Sequence, residues 1–283
     1  MATIGFFPHP NRDEAIQLAT ATASWLKAEG HDAPIICDAV DGAVAPESHR
    51  QVAASLDVAV SLGGDGTMIR TVDLVAPLQV PVLGVNVGHL GFLTEVVPDD
   101  LRQALKNFLA GEYRIEARMT LAVEVRRHGD SGPPVRMTAL NDAVLQRTSS
   151  GHTVRVAVTL SGTPFLTYAA DSMIIATPTG STAYNLSARG PIVAPHTRVV
   201  VMTPVAAHML FDRSLVLADD EDINLEVLGD LPAELVVDGQ SLGCLAAGDV
   251  VLCRAGDHDA LFVDFGGRDF HHVLKQKFGL ADR

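Results

Sequence analysis

Over its first 117 residues the chain alternates short apolar runs with stretches of helical periodicity. The apolar runs lie at residues 3–7, 33–37, 58–62 and 80–87. Each has the length and the continuous apolar character of a strand buried on both faces. The first helical stretch begins at Asn11, has Glu14 three positions later as in a capping box, and is closed by Gly30. Further helices are expected from the loop after residue 62 through residue 76, and over residues 98–110. This alternation predicts a Rossmann-like α/β domain with a parallel sheet.

After residue 117 the pattern changes to short β-branched runs separated by turn residues. These runs lie at residues 120–126, 136–146, 153–159, 163–168, 198–204, 222–228, 234–237 and 249–254. Such spacing is typical of an antiparallel sandwich or layered β domain, here interrupted by one helix near residues 181–188. A helix over residues 270–278 closes the chain. The prediction is an α+β protein with an α/β domain at 1–117 and a β-rich domain at 118–258. The tail 259–283 is expected to pack back on the first domain.

Composition narrows the functional classes. The 283 residues are 47% hydrophobic and 19% charged, with a net charge of −13. That charge disfavours nucleic acids and anionic membranes as partners, but it leaves phosphorylated small molecules possible, because backbone amides and a few cations can hold phosphates. Three scattered cysteines indicate neither a disulfide scaffold nor a zinc site. No signal peptide or membrane span is predicted, so a cytoplasmic protein is expected.

The sharpest local motif is Gly63-Gly64-Asp65-Gly66-Thr67, which directly follows a predicted strand and precedes a helix. Glycines there let the backbone approach a ligand, and a helix N-terminus presents N–H groups to phosphate. An aspartate in such a loop would repel phosphate. Its presence is explained if it binds magnesium, accepts a proton from a hydroxyl nucleophile, or both. The alternative is a simple turn with Thr67 as the helix cap. The loop matches neither the P-loop nor the dinucleotide fingerprint.

Two more clusters carry polar groups where a plain fold would not need them. Asp171 is followed at residues 176–187 by a segment dense in hydroxyl side chains that leads into a helix. Asn141-Asp142 interrupts an otherwise apolar run, and buried polar groups require partners or a ligand. A well-capped helix and a β-bulge are the respective structural alternatives.

Taken together, these stretches resemble the bacterial NAD kinase family over nearly the whole chain. The resemblance is carried by residues 63–67, 86–93, 141–142, 171–187 and 237–240. It implies an α/β domain followed by a β-rich domain with NAD between them. It also implies a transferase that moves the terminal phosphate of ATP, or polyphosphate in some members, to the adenosine ribose 2′-hydroxyl of NAD. A divalent cation, Mg²⁺ by expectation, would assist the transfer.

The resemblance also implies roles for individual residues. Asp65 is the expected general base, in a phosphate loop with Gly63, Gly64, Gly66 and Thr67. Asn141 and Asp142 are expected to hold ribose hydroxyls, Asp171 the nicotinamide side, and Tyr184 to stack on a base. The remaining positions matched to NAD contacts are Gly66, Arg70, His152, Thr182, Ala183, Asn185, Leu186, Ser187, Ala206 and Gln240. Arg70, one helical turn after the loop, is also expected to be a phosphate partner.

The chain departs from the family pattern at His89, Ser172 and Ala169, which bears on affinity and on any use of NADH. Two other functional classes remain open at this point. One is a related lipid or small-polyol kinase, and the other is a catalytically silent nucleotide-sensing module. The apolar surplus suggests a homo-oligomer, a dimer or a tetramer.

Overall fold

The computed structural model describes residues 1–37, 47–88, 91–266 and 269–280. The chain divides into two compact units. Unit 1 combines Met1–Arg118 with His258–Arg283, and unit 2 is Met119–Asp257.

The strands are β1 (Ile4–Pro8), β2 (Val58–Gly63), β3 (Val82–Asn86), β4 (Arg114–Arg118), β5 (Leu121–Arg126), β6 (Val135–Ala139), β7 (Asp142–Arg147), β8 (Val154–Leu160), β9 (Thr163–Ala170), β10 (Ser172–Ala176), β11 (Val199–Val205), β12 (Leu215–Ala218), β13 (Ile223–Leu228), β14 (Ala233–Val237), β15 (Gln240–Leu245), β16 (Val250–Ala255) and β17 (Ala260–Asp264). The α-helices are α1 (Asp13–Ala28), α2 (Glu47–Ala53), α3 (Asp65–Val75), α4 (Leu101–Leu109), α5 (Tyr184–Ser187) and α6 (Phe270–Phe278).

Unit 1 contains a sheet in the order β1-β2-β3-β17-β4. The first four strands of that order run parallel, and β4 is antiparallel to β17. Every residue of β1 and β2 is buried, as expected for strands covered on both faces. The predicted parallel sheet is confirmed.

Two details of the unit 1 prediction are wrong. Residues 33–37 form no strand: the segment runs beside β1 and makes only isolated bridges there, because Pro34 has no N–H to donate to a ladder. The capping box is also absent. Helix α1 starts at Asp13 after Arg12, which makes no side-chain cap bond, and the N–H of Asn11 donates to Nδ1 of His9 at 3.2 Å. The helix ends before Gly30, whose φ of 85° suits the turn.

Unit 2 contains two six-stranded sheets, in the orders β12-β11-β10-β7-β14-β15 and β6-β5-β16-β13-β8-β9. All strand pairs in both sheets are antiparallel. Their apolar faces share one buried core, which includes Val123 and Val156 from one sheet and Leu145 and Ile175 from the other. The predicted layered β domain is confirmed.

Two predicted elements of unit 2 require correction. The run at 136–146 is two strands, β6 and β7, and they belong to different sheets. Leu140 and Asn141 connect them, so the polar pair predicted as an interruption marks the place where the chain changes sheet. The helix expected at 181–188 is shorter. A 3₁₀ turn, Thr179–Thr182, precedes the four residues of α5, because Ala183 lies outside helical geometry.

Candidate active site

In unit 1 the glycine-rich loop connects β2 directly to α3. Gly64 is the residue before the helix, and Asp65 is its first residue. A Cβ at Gly63 would overlap Oγ1 of Thr67, so this turn requires glycine. The N-cap makes no side-chain hydrogen bond, which removes the reading of Thr67 as the helix cap. The Thr67 hydroxyl is buried and finds no hydrogen-bond partner among the described residues.

The Asp65 carboxylate is fixed by two backbone amides from a distant segment. The N–H of Phe92 donates to Oδ2 at 2.9 Å and the N–H of Leu93 to Oδ1 at 3.0 Å. A Cβ at Gly91 would overlap the same carboxylate, so a glycine is required for the segment to pass this close. Two motifs of the sequence, the loop at 63–67 and the run at 86–93, therefore meet at one side chain.

Asp65 keeps acceptor capacity after these bonds. An ionised carboxylate offers about four lone-pair positions, and the two amides use one on each oxygen. Asp65 is half-buried, so the remaining positions can receive a proton from a bound hydroxyl or contact a cation. Arg70 lies five residues further along α3, turned by roughly 140° about the helix axis, so its side chain leaves the helix on a different face.

In unit 2 the hairpin between β14 and β15 turns at Asp238 and Gly239, with φ values of 47° and 79°. Positive φ at both positions is the geometry of a type I′ turn, for which Asp-Gly is a preferred pair. The Asp238 carboxylate accepts the N–H groups of Leu140 at 2.6 Å, Asn141 at 2.8 Å and Asp142 at 3.0 Å. One side chain thus holds the whole connection between β6 and β7.

The segment after β10 holds the same connection from another direction. Thr177 donates its N–H to the Asn141 carbonyl at 2.8 Å and its hydroxyl to the Leu140 carbonyl at 2.5 Å. The N–H of Gly180 donates to that hydroxyl at 3.0 Å, and a Cβ at Gly180 would overlap the Asn141 carbonyl. The three unit 2 motifs, 141–142, 171–187 and 237–240, therefore form one hydrogen-bonded cluster.

Asp142 has a strongly altered acidity within this cluster. Burial, together with the repulsion from the neighbouring Asp238 carboxylate, raises its pKa to about 7. Near neutral pH a substantial fraction of Asp142 therefore carries a proton and can donate a hydrogen bond as well as accept one.

Asp171 lies between β9 and β10, and its carboxylate pairs with Arg147. The distance from Arg147 Nε to Asp171 Oδ1 is 3.3 Å. Arg147 also reaches the His152 carbonyl, at 3.5 Å from Nη1. The Asp171 N–H donates to the carbonyl of Val205 at 2.9 Å. The next residue, Ala206, is exposed and has a φ of 48°. Arg147, a residue that the sequence prediction missed, thus links two predicted positions, Asp171 and His152. The backbone bond from Asp171 to Val205 brings a third, Ala206, next to them.

The predicted residues around α5 have different surroundings. Tyr184 is 41% exposed. The Asn185 side chain is fully buried: its amide donates to the carbonyls of Ser181 and Pro191, and its oxygen accepts from Thr203. Asn185 thus holds the turn rather than exposing its amide. Of the other predicted positions around α5, Thr182, Ala183 and Leu186 are half-buried, and Ser187 is exposed.

The remaining predicted positions are Gln240, beside the Asp238 turn, and the positions where the sequence departs from the family pattern. Gln240 begins β15 and pairs with Val237, directly beside the Asp238 turn. Of the departures from the family pattern, Ser172 is buried and Ala169 half-buried, whereas His89 lies outside the described residues.

Neither a resident metal site nor a membrane span emerges from the described part of the chain. No three or more His, Cys, Asp or Glu side chains among those residues are grouped so as to hold a metal ion. No helix in the same residues has the length and apolar character needed to cross a membrane.

Comparisons with known proteins show two matching domain models and several full-length relatives. Residues 37–113 match the ATP-NAD kinase N-terminal domain, and residues 140–265 match the ATP-NAD kinase C-terminal domain. The chain is 37% identical to the NAD kinase of Syntrophotalea carbinolica, covering 100% of both chains. It is 38% identical to the NAD kinase of Heliobacterium modesticaldum, covering 98% of both.

Two solved structures share the fold. Yeast NADH kinase complexed with NADH has a TM-score of 0.85 and 24% identity, covering 100% of this chain and 89% of that one. The NAD kinase from Archaeoglobus fulgidus in complex with ATP has a TM-score of 0.75 and 21% identity, covering 99% and 100%. Because both domain models match and the identity to the relatives extends over the full chain, this protein belongs to the NAD kinase family.

Proposed function

We infer that this chain transfers the terminal phosphate of ATP to the adenosine ribose 2′-hydroxyl of NAD, which yields NADP and ADP. The observation that carries this assignment is the position of the Asp65 carboxylate. Asp65 lies in the glycine-rich loop as the first residue of α3, and the backbone amides of Phe92 and Leu93 hold its side chain. A general base must be fixed within hydrogen-bond reach of the proton that it removes, and such double anchoring provides the fixing.

The chemical step assigns the roles within unit 1. Asp65 accepts the proton of the 2′-hydroxyl as its oxygen attacks the terminal phosphorus of ATP, and the bond from that phosphorus to the ADP oxygen breaks. The N–H groups at the start of α3 face the loop and stabilise the negative charge of the phosphate oxygens. Gly63, Gly64, Gly66 and Thr67 shape this phosphate site.

Unit 2 supplies recognition of the dinucleotide in this proposal. The Asn141 amide and the Asp142 carboxyl bind ribose hydroxyls, and Asp238 and Thr177 hold them in position through the backbone. Asp171 receives the nicotinamide side. Tyr184, being exposed, stacks on a base. Thr182, Ala183, Leu186, Ser187, His152, Ala206 and Gln240 line the binding surface, and Asn185 supports it from behind.

A divalent cation fits this arrangement as part of the donor. Mg²⁺ usually binds through one or two carboxylates together with substrate phosphates, so the lack of a carboxylate cluster in the described residues agrees with its arrival on ATP. When bound, the ion neutralises the developing charge on the phosphates. Asp65 is the side chain that would contact it.

We extend the proposal to the setting of the enzyme. A homo-oligomer in the cytoplasm is expected, with polyphosphate as a second donor to be tested. Support for association comes from two exposed apolar residues, Val216 on the edge strand β12 and Leu210 in the connection that precedes it, which are 55% and 106% exposed. Light scattering during gel filtration would measure the oligomeric state.

The decisive experiment is a comparison of acceptors. Purified protein with Mg²⁺ and labelled ATP is offered NAD, NADH, diacylglycerol, a sphingoid base and glycerol in parallel. Labelled NADP from NAD, with the lipids and glycerol unlabelled, is the expected result. Lipid or glycerol phosphorylation with NAD inert would replace the assignment with the lipid or polyol kinase reading. NAD binding without any transfer would favour the silent sensor, which has no need of a fixed Asp65.

A further inference from the structure

Arg12 lies at the edge of the unit 1 sheet where β1, β2 and β3 all end. It follows β1 by four residues, and its Nη1 donates a hydrogen bond to the carbonyl of Val87, directly after β3. The N–H of Val87 in turn donates to the carbonyl of Gly63 at 3.0 Å. The guanidinium is therefore connected, through a single residue, to the first glycine of the phosphate loop.

The backbone beside Arg12 is adapted to the guanidinium. Gly88 has a φ of 130°, and a Cβ there would overlap Nη1 of Arg12. Glycine at this position thus serves two purposes, since it permits the backbone conformation and leaves room for the cation. Two observations show that the guanidinium lies against the backbone of residues 87–88. One is the hydrogen bond to Val87, and the other is the space that Gly88 leaves for Nη1.

Among the described residues, the hydrogen bond to Val87 uses one of the Arg12 donors. A guanidinium has five N–H groups in a planar fork, and the side chain of Arg12 is exposed. Such a fork can bind two phosphate oxygens at once, which an ammonium group cannot do.

The positive charge of Arg12 matters because the phosphate loop lies in a negatively charged protein. The chain carries a net charge of −13, and the phosphate loop itself contains Asp65, so the donor phosphates meet unfavourable fields. A cation anchored at the same sheet edge offsets that repulsion. Arg70, the position expected from the sequence, leaves α3 on a different face from Asp65, whereas Arg12 is tied to the loop.

We propose that Arg12 is a phosphate-binding residue for the phosphoryl donor. This inference rests on the proposed function for the identity of the donor, but its test measures phosphate binding directly. The test uses the full-length protein and three variants: Arg12→Met, Arg12→Lys and, as a matched control, Arg102→Met on α4. Arg102 is also an exposed arginine of unit 1, but it lies over Trp25 at 5.7 Å.

Calorimetry with Mg-ATP, with Mg-tripolyphosphate and with NAD is performed separately on each protein. Arg12→Met should weaken both phosphate probes by about 10- to 100-fold, since one charge-assisted contact is lost, while NAD affinity changes less than twofold. Arg12→Lys keeps the charge without the fork and should fall between. Arg102→Met should match the wild type. In steady-state kinetics the KM for ATP should rise with that for NAD unchanged.

Several outcomes would overturn the inference. One is unchanged phosphate affinity in Arg12→Met. Another is a lower melting temperature with equal losses for ATP and NAD, which would indicate support of the backbone only. Normal affinity in Arg12→Lys combined with a loss in Arg102→Met would point to general charge. If Arg12-dependent phosphate binding is found but no NADP is formed, the proposed function fails and this inference stands.

Discussion

Removing the buried acid Asp142 should change how the stability of unit 2 depends on pH. Asp142 is 7% exposed, and burial together with the Asp238 carboxylate raises its pKa from 3.8 to about 7. Between these values the unfolded chain releases the proton while the folded unit keeps it. Stability from this group is therefore complete below pH 3.8 and is lost as the pH rises to about 7.

The magnitude follows from the size of the pKa shift. Each pH unit within this window lowers the free energy of unfolding by about 1.4 kcal/mol, so the whole shift corresponds to about 4 kcal/mol. Asp142→Asn has no proton to lose. The free energy of unfolding of the variant minus that of the wild type should therefore increase from pH 4 to pH 7 and stay constant above that.

Hydrogen exchange detected by mass spectrometry is the suitable assay, because the single tryptophan, Trp25, lies in unit 1 and cannot report on unit 2. Protection of peptides from β7 and β10 is measured at several pH values and corrected for the intrinsic exchange rate. Asp230→Asn, an exposed acid of the same unit, is the control. A difference between Asp142→Asn and wild type that stays flat from pH 4 to pH 8 would refute the reasoning.

Three further predictions concern turnover. Asp65→Asn should lower kcat by about 10²–10⁴ with NAD affinity within a few-fold, because the amide cannot accept the proton; near-normal turnover would remove the general base role. Gly91→Ala should also lower kcat, since the added methyl group overlaps the Asp65 carboxylate and displaces it, and a kcat equal to wild type would contradict that positioning. Tyr184→Ala should raise the KM for NAD by about tenfold with kcat little changed, and an unaltered KM would exclude stacking.

The sequence predicts the parallel sheet well because β1 and β2 are buried on both faces and read as continuous apolar runs. The prediction missed β17, although that strand is largely buried, and it also missed the exposed edge strand β4. The edge strand β4 exposes its apolar residues Ile115 and Ala117 and half-buries Glu116 and Arg118, so no apolar alternation toward a core marks it. The hairpin at Asp238-Gly239 did carry a recognisable turn pair, and reading it would have revealed β15.

The candidate site was predictable in its motifs but not in its contacts. Asp238 binds backbone N–H groups almost a hundred positions earlier in the chain. Every residue except proline has such a group, so the sequence does not show which ones Asp238 will bind. For the same reason the anchoring of Asp65 by Phe92 and Leu93 could not be foreseen. Gly91 gave a weak indication, as a glycine within an apolar run, where a close approach of backbone is often required.

The position of β17 between β3 and β4 has a consequence for how the enzyme is made. The first unit of a nascent chain usually folds while the rest is being synthesised. Here β4 pairs only with β17 within the described sheet, and β3 has an open edge until β17 arrives. Since β17 follows unit 2 in the chain, unit 2 must leave the ribosome before the sheet of unit 1 is complete. A ribosome-stalled chain that ends before His258 is therefore expected to expose an unpaired strand edge and to bind chaperones.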